Sequence, residues 1–317
     1  MKKYLALILA LVMAFSLVAC EKEVEEPVVE DVPREAIAPT PAPVLVGNYT
    51  LTAEYLPFDA PIILDVSGDP DMDVLGDKVY ISNGDTEVKV FTLSGNALTF
   101  DKTISVEDTG DEISVDNSGK LYVDGGVFEA TVVDPATGAT GEAVASGYLS
   151  ASKTANFALT YFTGRETITA IKDGAASDWM LEGAAGIGAF ESISNIEING
   201  DTVLLAGADA ENNILGAFDL SGNRLMLSTG SLAGSLPNAC AKTANGYVSS
   251  SVNQMTFVNA DGSIIGEADA KELCGITDDS MWIYEMTPVD GGFLVLAQLY
   301  RTGVTGDEIV LFKVSGF

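Results

Sequence analysis

Ile113-Ser-Val-Asp-Asn-Ser-Gly-Lys-Leu-Tyr-Val123, with Val132-Val-Asp134 close behind, reads as a strand, a glycine turn, a second strand and then a third. After Gly119 the apolar residues Leu121 and Val123 fall two apart, the period that puts side chains on one face of a strand. Glycine suits the turn because it enters positive φ without a steric penalty. Outward from this stretch the unit repeats. Asp77, Gly119, Phe157, Asp201, Gly246 and Gly292 each sit at or just after a turn, at spacings of 38 to 46 residues. Two residues beyond these markers stand Val79, Leu121, Leu159, Val203, Val248 and Leu294; four beyond stand Ile81, Val123, Tyr161, Leu205 and Leu296, with Ser250 the exception. A second apolar strand in each unit ends in a turn at Gly95, Gly138, Gly174, Gly222, Gly262 or Gly316. The tetrapeptide Lys-Thr-Ala-Asn occurs twice in the same phase, at 153–156 and 242–245.

Units of this length, made of short strands, have the spacing of propeller blades. From Leu45 to Phe317 the pattern resembles the NHL, YWTD and gluconolactonase-like group, and more broadly WD40/YVTN-like repeats. The resemblance implies an all-β fold, a six-bladed β-propeller. It bears on fold more than on function. The competing architectures are a seven-bladed ring and an open sandwich. Blades one to five have residues for a fourth, outer strand, whereas the sixth stops at Gly316-Phe317. Tyr49-Thr-Leu-Thr-Ala-Glu-Tyr55 is therefore expected to complete the last blade and close the ring, covering edges that would invite aggregation. Helical periodicity is confined to Glu267–Cys274, enough for one or two turns.

The 317 residues carry 46 acidic and 16 basic side chains, a formal charge of −30, and no histidine. Nucleic acid is excluded as a partner, because phosphate binding is driven by basic groups that release counterions. Serine-histidine-acid triads, cysteine-histidine pairs and histidine-held metals cannot be built from this chain.

Residues 1–19 run from basic Lys2-Lys3 through an uncharged apolar stretch to Ala19, the layout of a secretory signal. Leu17-Val18-Ala19-Cys20 resembles the lipobox of bacterial lipoproteins, which implies acylation of Cys20 and anchoring on the outer face of the bacterial cell membrane. Residues 20–44 hold five prolines and read as a disordered acidic tether spanning at most about 75 Å. The propeller domain is then 45–317. Loss of Lys2 and Lys3 with the leader would take the formal charge from −30 to −32.

Within the domain, the connections between blades and between second and third strands vary in length, the usual place for function on a rigid scaffold. They carry many of the acidic residues, so this face is expected to attract cations or a basic partner. Asp69, Asp71, Asp73 and Asp77 stand at positions 1, 3, 5 and 9 of a run that resembles integrin-type calcium loops. Val74 stands where those loops have glycine, and the alternative is that Asp73–Leu75 belongs to the first strand of blade one. Gluconolactonase-like propellers hold a divalent metal in the central channel through Glu, Asn and Asp; Asn156, Asn195, Asn245, Asp116 and Glu285 are candidates to approach it. Sialidases are disfavoured, since the domain has three arginines and no Ser-x-Asp-x-Gly-x-Thr-Trp box. Arg165 and Arg301 occupy corresponding loops and suit either an anion contact or ion pairing with acidic neighbours. Trp282 and Tyr284 suit either sugar stacking or core packing. Cys240 and Cys274 form either a disulfide or two buried thiols.

These readings favour a non-catalytic module that binds a protein, a glycan or an envelope component. The rival is a divalent-metal-dependent hydrolase or lactonase that uses channel carboxylates.

Overall fold

The chain forms six small antiparallel sheets, five of four strands that pair in sequence order and one of six strands that joins the N-terminal segment to the C-terminal strands. The computed structural model describes residues 36–64, 69–84, 86–106, 112–124, 129–145, 148–161, 168–173, 175–179, 190–209, 211–229, 236–277, 280–301 and 306–317. Blade one is Asp71–Leu75, Lys78–Ser82, Glu87–Ser94 and Ala97–Ser105. Blades two to five begin with inner strands Ile113–Val115, Tyr148–Ala151, Ser192–Asn199 and Ala239–Lys242. The inner strand of blade six is Ser280–Val289. Each inner strand touches the next, and the sixth touches the first, so the six close into a ring.

The recurrent apolar residues do what their spacing requires. Val79, Leu121, Leu159, Val203, Val248 and Leu294 are all fully buried, each in the second strand of its blade. Burying such a side chain is worth about 1.5–3 kcal/mol. The cores lie between blades: Tyr80 and Val90 of blade one pack with Val115 and Val123 of blade two, and Leu159 of blade three packs with Ile196 and Phe218 of blade four. Ser250, which breaks the apolar pattern, is buried with its hydroxyl unpaired.

Closure uses more of the N-terminal segment than expected. Tyr49–Tyr55 pairs with the end of the strand Asp307–Ser315, as the expectation had it. Val44–Val46 then pairs outside Tyr49–Tyr55, and Ile62–Leu64 pairs with the start of Asp307–Ser315. One long strand thus receives two successive N-terminal partners. The final residue clasps the seam: the Phe317 ring meets Tyr49 edge-on at 4.9 Å and Phe257 of blade five at 5.0 Å.

The compact unit starts at Ala38, before Leu45. Thr40 donates its backbone N–H to the Gly275 carbonyl at 3.3 Å. Gly275, at φ 70°, ends the short helix Ala270–Cys274, and a Cβ there would overlap the Thr40 backbone. Only glycine admits both the left-handed cap and this approach. The helix itself is shorter than the periodicity suggested, because Glu267–Asp269 finishes the outer strand of blade five and Asp269 caps the helix.

Candidate functional site

The six inner strands surround the axis of the ring. Their polar groups form a relay that ties each blade to the next, from one to six. Asp71 accepts the Ile113 N–H at 2.6 Å, and Asp73 accepts the Val115 N–H at 2.6 Å and the Ser114 hydroxyl at 2.9 Å. Glu112 accepts from Leu149 N at 2.6 Å, and Ser114 Oγ from Ala151 N at 2.9 Å. Ser150 Oγ accepts from Ile198 N at 2.8 Å, and Asn199 Oδ1 from Lys242 N at 2.8 Å. Asn195 Oδ1 accepts from the Cys240 thiol at 3.0 Å, and Asn238 donates its amide to the Ile283 carbonyl. The Lys153 ammonium sits on Asp73 and also donates to the carbonyls of Val115 at 2.6 Å and Ala151 at 3.0 Å.

At the end where the inner strands begin, the channel widens into a cavity of about 410 Å³. Asp69, Asp71, Glu112, Glu197 and Glu285 line it, and no lysine or arginine does among the described residues. Trp282, Tyr284 and Tyr300 line it as well; Trp282 and Tyr300 remain 37% and 39% exposed. β-Bulges at equivalent places help to build this end. In the inner strands of blades four and six the register slips at Ser194 and at Tyr284, and each bulge is followed by a cavity residue, Asn195 or Glu285. Bulges of this kind re-aim side chains beside sites.

The carboxyls are in an unfavourable setting for charge. Burial raises the Asp71 pKa to about 7; the N–H groups of Ile113 and Met72 oppose this and Asp73 adds to it. Glu197 is pushed well above the usual range by burial and then by Asp73 and Asp71. Glu285 is pushed up likewise by burial and then by Glu197 and Asp71. Asp71 and Glu197 are part-buried and line the cavity. Buried like charges disfavour ionisation, and these three influence one another across the channel.

The structure redistributes the expected site residues. Asp69 and Asp71 reach the cavity, Asp73 lies deeper, and Asp77 is exposed at the turn after the strand. The calcium loop is not formed, because Asp71–Leu75 is an extended strand about 13 Å long and the oxygens of Asp71 and Asp73 are taken by backbone donors. Among the described residues no three acidic or cysteine side chains come together in a metal-holding group. Of the channel candidates, Asn195 and Glu285 line the cavity. Asn156 instead donates to Asp173 at 3.1 Å, and Asp116 caps its own turn through Ser118 and Lys120. Asn245 lies in a different hollow, beside Lys242 and Gly292. Trp282 and Tyr284 are at the cavity rather than in a core. Arg301 pairs with Glu308 at 3.1 Å. Cys240 and Cys274 are buried free thiols, so the disulfide is absent: Cys240 is held by Asn195, and Cys274 is packed in the short helix. Cys20, Arg165 and several of the loop acids lie outside the described residues.

Glu197, Asn238 and Tyr300 escaped the sequence reading, and Glu112 entered it only as one of the acids of the variable connections. Ser192–Asn199 carried a usable signal, since polar Asn195, Glu197 and Asn199 alternate with Ile196 and Ile198. Alternation of that kind marks a strand with one polar face but does not say whether that face meets solvent or a channel.

No family model and no curated protein matches the chain. Among solved structures, the RRP9 WD40 repeats superpose with a TM-score of 0.51 at 11% identity, covering 83% of this chain and 97% of that one. U3-55K superposes with a TM-score of 0.50 at 10% identity, covering 83% and 98%. At these identities the likeness concerns fold alone, and it agrees with the six sheets: the chain is a six-bladed β-propeller with WD40-type structural neighbours.

Proposed function

We propose that this protein is a lipoprotein, anchored through Cys20 on the outer face of the bacterial cell membrane, whose propeller is a non-catalytic binding module for a protein, glycan or envelope component. The observation that carries the reading is the cavity at the channel mouth, where exposed Trp282 and Tyr300 stand over a polar interior. Aromatic side chains with one wet side and one packed side are the usual anchors of binding surfaces. A propeller fold is consistent with a binding or scaffold module. The metal-dependent hydrolase reading draws less support, since Asp71, Asp73 and Glu112 are taken by backbone donors and no metal-holding group of three acidic or cysteine side chains forms among the described residues.

Site-specific photocrosslinking in cells tests the binding surface. A crosslinker in place of Trp282 is expected to trap a discrete species, and one in place of Asp178, on the exposed outer strand of blade three, is not. The opposite pattern would move the binding surface away from the mouth. Cys20→Ser is expected to shift the protein from the membrane to the soluble fraction; unchanged membrane association would overturn the anchor.

A further inference from the structure

The cavity has a feature that a general-purpose contact surface does not require. Five carboxyl side chains line it, from blades one, two, four and six, with no cation among its described lining residues. The nearest ammonium, Lys153, is held deeper by Asp73 and two carbonyls. A second, independent observation concerns an acceptor. Asn238 spends its amide N–H on the Ile283 carbonyl, and its Oδ1 is left buried without a hydrogen-bond donor although the residue lines the cavity. A buried acceptor without a donor costs about 1–3 kcal/mol. The third observation is size: about 410 Å³ is far more than one ion needs and falls in the range of organic ligand sites. Trp282, Tyr284 and Tyr300 add π faces at the entrance.

We propose that the channel mouth receives the cationic head of a lysine or arginine side chain projecting from a protein partner. The inference rests on the binding reading above and names the chemistry of what is bound. Each element of the site has a counterpart in such a head group. Its charge and N–H groups answer Asp71, Glu197 and Glu285, and its methylene stem and charge suit the aromatic entrance. A bare divalent ion would fill little of the cavity. A neutral sugar would bring no charge against which these carboxyls could ionise.

Calorimetric titration of the purified full-length protein tests this with N-acetyl-lysine methylamide and N-acetyl-arginine methylamide as probes. The uncharged N-acetyl-norleucine methylamide and calcium chloride serve as comparisons. Saturable binding of at least one cationic amide is expected, weakened tenfold or more in Glu285→Gln and in Glu197→Gln, and unchanged in Asp178→Asn, which removes one exposed carboxylate elsewhere. Circular dichroism melts establish that each variant is folded. Norleucine amide binding as well as the cationic amides would overturn the proposal, as would equal weakening by Asp178→Asn. Calcium binding while both amides stay silent would overturn it in favour of a metal site. If the amides stay silent but the crosslinker at 282 still traps a partner, the binding reading stands and only the cationic head group falls.

Discussion

The strand Ser192–Asn199 has two faces with opposite physics. Ile196 and Ile198 enter a core shared with Leu159 of blade three and Phe218 of its own blade. On the other face Asn195 and Asn199 accept from Cys240 and Lys242 of blade five, and Glu197 lines the cavity, where burial and then Asp73 and Asp71 push its pKa up. The first face stabilises the ring by removing apolar surface from water. The second costs stability, because carboxyls share a space with little solvent and the nearby Lys153 is held by Asp73. Local choices that oppose stability are expected where a protein keeps a site. The contrast teaches that the fold is held between the blades and the chemistry is held along the axis.

The largest test of that division is removal of residues 44–64, which supply both N-terminal partners of Asp307–Ser315. Cooperative melting should disappear; a truncated chain that melts like the full one would show that the ring does not depend on its closure. Next come the two faces themselves. Ile196→Ala and Ile198→Ala should each cost about 2–5 kcal/mol in urea unfolding. Glu197→Gln should cost less than about 1 kcal/mol at pH 8 or be stabilising, since it removes a charge from a poor setting. Equal losses from the two kinds of substitution would erase the contrast.

Acidity should act through the channel face alone between about pH 4 and 7. Asp71, with its pKa raised to about 7, and Glu197 and Glu285, raised also, bind protons more tightly folded than unfolded. Their contribution is complete below the unfolded values near pH 4 and is lost as pH rises through the folded ones. Exposed turn aspartates such as Asp219 and Asp261 are held low by side-chain and backbone donors, so their opposite effect falls below about pH 4. The urea midpoint should therefore be higher at pH 5 than at pH 8, and Glu197→Gln should narrow the gap; a midpoint that climbs with pH would contradict this account.

A smaller effect is expected within blade five. Ser250→Ala removes a buried hydroxyl that has no partner and should raise stability by about 1 kcal/mol. The smallest expected change is none: reductant should leave the melting temperature unchanged, because Cys240 and Cys274 are not bridged.

Much of the ring was legible because the residues that build it obey a local rule. Val79 and Leu294 belong to blades far apart in sequence, yet both lie two residues past a turn marker and both are fully buried. The seam was legible in part. Tyr49–Tyr55 announced itself as a strand without a blade, whereas Ile62–Leu64 and the docking of Thr40 against Gly275 depend on partners more than two hundred residues away. The site was the least legible. Asp71 and Asp73 drew attention as a spaced acidic run, but the same spacing fits a loop that wraps an ion and a strand that faces a channel. Glu112 and Glu197 carry no motif at all.

The amino-acid order alone determined the repeating unit, its phase and the excess of acid over base, since each follows from residues near one another in the chain. Which carboxyls became neighbours was decided only when the sixth inner strand met the first. Closure turned the polar faces of separate strands toward one axis, and proximity across that axis, which no local pattern encodes, made an acidic and aromatic cavity out of residues drawn from several blades.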